Sequence, residues 1–303
     1  VTDTANLAAS VSARLLNQAR SEGADYQTLL TSYCLERFLY RLGLSDRRDR
    51  FVLKGAMLLR MWSDQPYRAT RDLDLLRRGD GAFEAIREDL EAIIATRVPD
   101  DGVAFDGQAI KIEAIRAEDE YAGTRAKLAA RSGTARITLQ VDMGVGDAVW
   151  PSPQLCRYPT LLDLPAPAVL AYPKEAVIAE KFEAMVVLGD RNSRIKDFFY
   201  VQYLASQFQF DRATLAEAIR RTFERRRTSI PQDSPIALTA EYWNNPTRPT
   251  QMRAFAKRSA IKIPDHFDQT CSQTLQAFLI PLLDDLRSGV VTAGSWTSGG
   301  PWR

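Results

Sequence analysis

The chain has 303 residues, 45% hydrophobic and 26% charged, the balance of an ordinary globular protein with room for one large domain or two modest ones. It has no apolar run long enough to span a membrane and no basic-then-apolar signal pattern at its start, and its scattered Cys34, Cys156 and Cys271 lack metal-ligand spacing, so a cytoplasmic location is expected. The single histidine, His266, argues against histidine-based triads and metal clusters, and leaves carboxylates, lysines and a metal ion to do any chemistry.

Residues 10–23 and 28–45 have the apolar spacing of two helices, closed at Gly23 and Gly43, that pack against the sheet formed downstream. Phe51 to Lys54 is short, largely apolar and β-prone, Gly55 stops it, and Ala56 to Trp62 suits two turns of helix. From Arg71 to Leu76 polar and apolar residues alternate with period two. In a strand Asp72 and Asp74 then project to one face while Leu73 and Leu75 face the other way. Two adjacent carboxylates repel unless a cation lies between them, and oxygen ligands at this spacing suit Mg²⁺ or Mn²⁺. The junction of Gly55 with the short helix offers backbone N–H groups to a phosphate.

Gly79-Asp80-Gly81 turns the chain into a helix over 82–95, ended by Pro99. Strands are expected at 103–105, 110–115, 121–128 and 135–142, the last two joined near Ser132-Gly133. Asp142 closes the last strand on its polar face, placed to join Asp72 and Asp74 at one metal site. Six prolines between 151 and 173 mark a connector.

Lys174 begins a helix closed by Gly189, in which Ile178, Lys181 and Met185 share a stripe. An ammonium in an apolar stripe either snorkels to water or meets an anion. On the next helix, 195–208, Asp197 shares a face with Val201 and Leu204. Lys181 and Asp197 therefore form a simple salt bridge or face a common site. Asp211 caps a further helix. Between Arg220 and Lys262 ten basic residues stand against three acids, a basic lobe suited to a polyanion. A final helix spans 272–287, and the Ser/Gly-rich residues 288–303 read as a flexible tail.

The ordered set Lys54-Gly55, Arg68-x-Thr70-Arg71-Asp72-x-Asp74, Tyr121-x-Gly123, Val141-Asp142-x-Gly144-x-Gly146-Asp147, Glu180-Lys181 and Arg194-x-Lys196-Asp197-Phe198 resembles the AbiEii/AbiGii family of nucleotidyltransferase-like toxins, which includes the MenT toxins. The resemblance covers roughly residues 45–210. It implies an α+β fold, a DNA-polymerase-β-like minimal nucleotidyltransferase core of mixed sheet and flanking helices over 51–150, with a helical lobe over 174–287 completing the active site. It also implies the toxin half of a toxin–antitoxin or abortive-infection pair, with an antitoxin as partner, moving a nucleotide from an NTP to the 3′ end of tRNA. Carried onto this chain, Asp72 and Asp74 match the metal-binding pair, Gly55 and Ala56 the phosphate turn, Lys181 the phosphate-contacting lysine and Asp197 the later essential aspartate. Ala56 stands where several relatives have serine, so control by modifying that hydroxyl is not expected.

The expected site therefore has Asp72, Asp74, Lys181 and Asp197 as catalytic residues, and Asp72, Asp74 and Asp142 around Mg²⁺ or Mn²⁺. Lys54, Gly55, Ala56, Arg71 and Lys181 are expected to contact the NTP, and Arg194, Lys196, Arg220, Arg221, Arg225, Arg226 and Arg227 to contact RNA. Two rival readings are transfer onto a protein and an inactive nucleotide-binding module.

Overall fold

A computed structural model of the chain describes residues 2–62, 70–115, 123–259, 263 and 266–303. They divide into two compact units, one of Val1–Asp147 with Pro153–Tyr172, the other of Ala148–Ser152 with Pro173–Arg303.

The first unit begins with helices α1 (Thr2–Glu22) and α2 (Tyr26–Leu44). Asp25 caps α2 by accepting the Thr28 N–H at 2.8 Å. From Leu29 to Leu42 α2 is buried on nearly every side, so its charges need partners. Arg41 grips both oxygens of Asp101 at 2.7 and 3.1 Å, and Glu36 pairs with Arg37 at 2.6 Å. Gly43, expected to stop this helix, lies inside it. A Cβ there would come within 2.5 Å of the Ala168 carbonyl, so glycine is required by the close approach of another strand.

Strand β1 (Phe51–Lys54), helix α3 (Met57–Trp62), strand β2 (Asp72–Arg77) and helix α4 (Phe83–Ile94) come next, each within a residue of expectation. The two short strands expected between 103 and 115 are one, β3 (Ala104–Ile115), with an irregularity between Asp106 and Lys111 that hides its continuity in the alternation. β4 (Gly123–Ser132) and β5 (Ala135–Val145) form a hairpin turning at Gly133, whose φ of +57° suits glycine. The proline-rich segment is more than a connector. It supplies β6 (Gln154–Arg157) and β7 (Ala168–Ala171), short strands fitted between the prolines. The seven strands run in the order β3-β4-β5-β2-β1-β7-β6, with β1 parallel to β7, β2 parallel to β5 and the other pairs antiparallel.

The second unit is helical. It contains α5 (Lys174–Leu188), α6 (Ile195–Gln207), strand β8 (Phe210–Asp211), α7 (Arg212–Arg226), α8 (Ala240–Asn244), α9 (Arg248–Ser259), α10 (Phe267–Ser288) and strand β9 (Ser295–Trp296). The tail expected to be flexible is tied down. β9 pairs with β8, the buried Trp296 indole donates to the Ala205 carbonyl at 2.7 Å, and Trp302 stacks on Phe278 at 5.6 Å. Two tryptophans among serines and glycines outweigh the local composition, because each buries a large apolar ring. No helix among the described residues is long and apolar enough to cross a membrane.

Candidate active site

In the first unit the sheet register assembles the acidic face. Lys54 on β1 pairs with Asp74 on β2, Asp74 with Asp142 on β5, Asp142 with Arg125 on β4, and Arg125 with Glu113 on β3. Paired residues of neighbouring strands share a face, so a row of charges crosses five strands in the order plus, minus, minus, plus, minus. A second row two residues along holds Asp72, Gln140, Lys127 and Lys111. Leu73 and Leu75, on the opposite face of β2, are fully buried and hold the strand against the core.

The ends of the charged row are tied by specific contacts. Lys54 donates to Asp147 Oδ2 at 2.8 Å and lies 5.1 Å from the centre of the Tyr172 ring. Arg125 meets both oxygens of Asp142, Nε to Oδ1 at 2.8 Å and Nη2 to Oδ2 at 2.7 Å, and Gln140 adds an amide donor at 3.1 Å. Hydrogen bonds to Asp142, with the fields of Asp142, Asp72 and Glu113, raise Arg125 above its ordinary value despite some burial. Gly55 turns the chain at φ +72°, and a Cβ at this position would fall 1.9 Å from Asp74 Oδ2. The turn expected to cradle a phosphate and the carboxylate expected to hold a metal thus touch each other.

Two expectations about this face change. Asp142 does not end its strand, because β5 runs on to Val145. Nor does Asp142 converge with Asp72 and Asp74 as a ready cage: among the described residues no group of three acidic, histidine or cysteine side chains is placed to hold a metal ion, and Asp142 is engaged by Arg125. Arg71 is exposed and directed to the start of α2, where it donates to Thr28 at 3.2 Å and lies 3.8 Å from Asp25. Arg68, Tyr121 and Lys262 lie outside the described residues. Sequence reasoning misses Arg125 because its partner is visible only once β4 and β5 are in register. Asp147 belongs to the expected motif, but its contact with Lys54 has no signal along the chain.

In the second unit Lys181 on α5 and Asp197 on α6 come together. Lys181 Nζ is 2.5 Å from Asp197 Oδ1, and Arg194 Nε is 2.7 Å from Oδ2. The expected stripes are present: Ile178 and Met185 beside Lys181, and Val201 and Leu204 beside Asp197, are all fully buried. Burial works to raise the Asp197 carboxyl, but Lys181, Arg194 and Lys196 outweigh it and hold it below the ordinary carboxylate range. Burial also lowers the Lys181 ammonium against the pull of Asp197, with Lys196 and Arg194 pushing the same way. One buried carboxylate therefore faces three cations, and this corner keeps a positive excess suited to an anion.

Arg248 braces this corner from behind. Buried, it donates to the carbonyls of Asn192 at 2.7 Å, of Tyr242 at 3.2 Å and of Asp190, and lies 3.7 Å from the Tyr242 ring centre. Tyr242 donates to the Asn192 carbonyl at 2.9 Å and stacks on Phe198, the neighbour of Asp197. The loop carrying Arg194 is thus fixed by a residue that charge counting places in the basic lobe.

The other basic-lobe residues divide. Arg220 pairs with Glu217 and Glu224, and Arg221 pairs with Glu217 at 2.6 Å and lies 4.1 Å from the Trp150 ring centre. Arg226, expected to face RNA, points inward instead, meeting buried Glu183 at 2.7 Å and Glu180 at 3.7 Å. A buried carboxylate needs a charge partner, and that need fixes Arg226. Arg225, Arg227, Lys196, Arg253 and Lys257 are exposed.

Comparison with known proteins places this arrangement. Two crystal structures from Helicobacter pylori match the chain, and the second of them shares its fold. That of JHP933 is 13% identical, with 88% of this chain and 95% of that chain covered and a TM-score of 0.49. The other, described as a candidate nucleotidyltransferase, is 14% identical, with 88% of this chain and 100% of that chain covered and a TM-score of 0.51. No curated protein sequence matches the chain. The family model "Nucleotidyl transferase AbiEii toxin, Type IV TA system" matches residues 37–280. With most of its length inside that match, the chain belongs to the AbiEii family of nucleotidyl transferase toxins of type IV toxin–antitoxin systems.

Proposed function

We propose that this toxin transfers a nucleotide from an NTP to an RNA, with the 3′ end of tRNA as acceptor, and so blocks translation in the cytoplasm, with an antitoxin as its counterpart. The observation that supports it most is the contact of the Gly55 turn with Asp74, beside Asp72 on the same face of β2. The donors are hard carboxylate oxygens spaced two residues apart on one face of β2, and the missing Cβ of Gly55 lets the phosphate-binding turn lie against Asp74, so the donor chemistry fits a divalent cation. Asp72 and Asp74 would hold Mg²⁺ or Mn²⁺, which when bound supplies charge neutralisation on the phosphates and activation of the acceptor hydroxyl.

The chain's own residues have separate tasks. The backbone N–H groups of Gly55 and Ala56 bind phosphate oxygens without a side-chain hydroxyl. Lys54, held by Asp147 beside Asp74, keeps a positive charge next to the carboxylates. Lys181 neutralises charge developing on the leaving pyrophosphate, and Asp197 holds the lysine at a fixed point. The exposed Lys196, Arg225 and Arg227 grip the RNA backbone, so transfer should fall steeply with salt.

The test is incubation of the protein with total RNA, each labelled NTP and Mg²⁺. Label at tRNA 3′ ends, lost by about a hundredfold or more in Asp72→Asn and Lys181→Met, is the expected result. Label in a protein fraction alone would establish transfer onto protein instead. Label in neither would leave an inactive nucleotide-binding module.

A further inference from the structure

The contact between Arg125 and Asp142 has no part in the chemistry above, yet it occupies the middle of the charged row. Asp74 and Asp142 are register partners on adjacent strands, where two carboxylates repel unless a cation relieves them. Arg125 relieves Asp142 with the full fork, using one oxygen for each nitrogen at 2.8 and 2.7 Å, and Gln140 takes a further position on Oδ2. These are the oxygens a hard divalent cation would use. A guanidinium and a cation therefore cannot both have Asp142 in full.

We propose that Arg125 is a built-in competitor for the divalent cation: while it grips Asp142 both oxygens of that carboxylate are withheld from the cation, and release of Arg125 adds Asp142 to the pair Asp72 and Asp74. This rests on the nucleotidyl-transfer reading, and it gives Arg125 a positioning role. The competition also keeps the acidic face compensated before the cation arrives, which explains why an arginine stands in register with the carboxylates on the neighbouring strand. Cation affinity is then set by the strength of the Arg125 fork as well as by the number of carboxylates.

The experiment is Mn²⁺ binding to the full chain, without nucleotide, followed by the electron paramagnetic resonance signal of free Mn²⁺. Arg125→Gln should bind Mn²⁺ about tenfold more tightly than the parent, in the range by which partners of metal ligands tune affinity. Arg125→Lys, which keeps the charge but not the fork, should fall between them. Arg125→Gln combined with Asp142→Asn should return to the parental affinity, and Mn²⁺ should raise the melting temperature of Arg125→Gln more than that of the parent. Equal affinity in the parent and Arg125→Gln, with Asp72→Asn losing Mn²⁺, would overturn the competition and leave the transferase reading standing. Equal affinity in all of them, Asp72→Asn included, would overturn both the competition and the metal site it rests on.

Discussion

Gly55 and Asp74 stand so close that the glycine's missing side chain is part of the site: a β-carbon at Gly55 would lie 1.9 Å from Asp74 Oδ2. Gly55→Ala must therefore move the carboxylate and also hold alanine at φ +72°, which costs about 1–2 kcal/mol. Nucleotidyl transfer should fall by about a hundredfold while the protein remains folded, since small displacements of positioned groups are that costly. Paired measurements of transfer rate and melting temperature check this. Unchanged transfer would show that the Gly55–Asp74 contact plays no part in catalysis.

The Lys181–Asp197 pair gives a pH prediction at each end. The Asp197 carboxyl lies below its ordinary value of 3.8, so its charge stabilises the fold above that value, and the gain disappears as pH falls through the depressed folded value. Asp197→Asn should be less stable than the parent at neutral pH, and the difference should shrink in strong acid. Lys181 lies below the ordinary lysine value of 10.5, so a reaction that needs its ammonium should fail at a lower alkaline pH than an ordinary lysine would impose. Stability curves in urea across pH, with a pH–rate profile, separate the two effects.

Arg248 should act on the same corner without touching substrate. Arg248→Ala leaves the carbonyls of Asp190 and Asn192 without their guanidinium, a loss of about 3 kcal/mol for hydrogen bonds to a charged donor. Transfer by the folded fraction should also fall, because Arg194 and Asp197 sit at the end of the loop Arg248 holds. Arg248→Lys should not rescue it, since one ammonium cannot span the same carbonyls. Denaturation and kinetics on the same samples test both parts.

The arginines of α7 should separate by direction. Arg226→Ala removes the 2.7 Å ion pair made to the buried Glu183 and should cost about 3–5 kcal/mol in stability. Arg225→Glu and Arg227→Glu should weaken RNA binding and flatten its dependence on salt. Binding measured at several ionic strengths distinguishes them. Equal loss of RNA affinity in all three variants at unchanged stability would contradict the assignment.

Truncation before Ser295 removes the buried Trp296 and the stacked Trp302 together. The expected cost exceeds about 3–5 kcal/mol, that of emptying a single large aromatic site. Thermal unfolding of the truncated protein measures it directly.

Much of the fold is legible in the sequence because periodicity and punctuation agree. The alternation at Asp72 to Leu75 and the glycines at 23, 55, 133 and 189 locate elements of the first unit and the end of α5. The stripes of α5 and α6 bring Lys181 and Asp197 together on spacing alone. What sequence does not show depends on partners distant along the chain. β6 and β7 are four residues each among prolines, and only the pairing of β7 onto β1 and of β6 onto β7 makes them strands. The grip of Arg125 on Asp142 requires the register of the β4–β5 hairpin. The inward turn of Arg226 and the burial of Arg248 depend on acids and carbonyls from other helices, so a count of charges along the segment overstates the basic surface.

The short segment Ala148–Ser152 belongs with the second unit although the residues on both sides of it belong with the first. Through it the chain leaves the first unit, returns to complete β6 and β7, and leaves again at Pro173. Trp150, on which Arg221 stacks, is therefore encoded apart from the helices of its own unit, with β6 and β7 in between. A gene fragment beginning at Pro173 would lack that indole, and one ending at Tyr172 would carry it without its arginine. The two units are interleaved in the reading frame, so neither can be swapped between relatives by a single crossover.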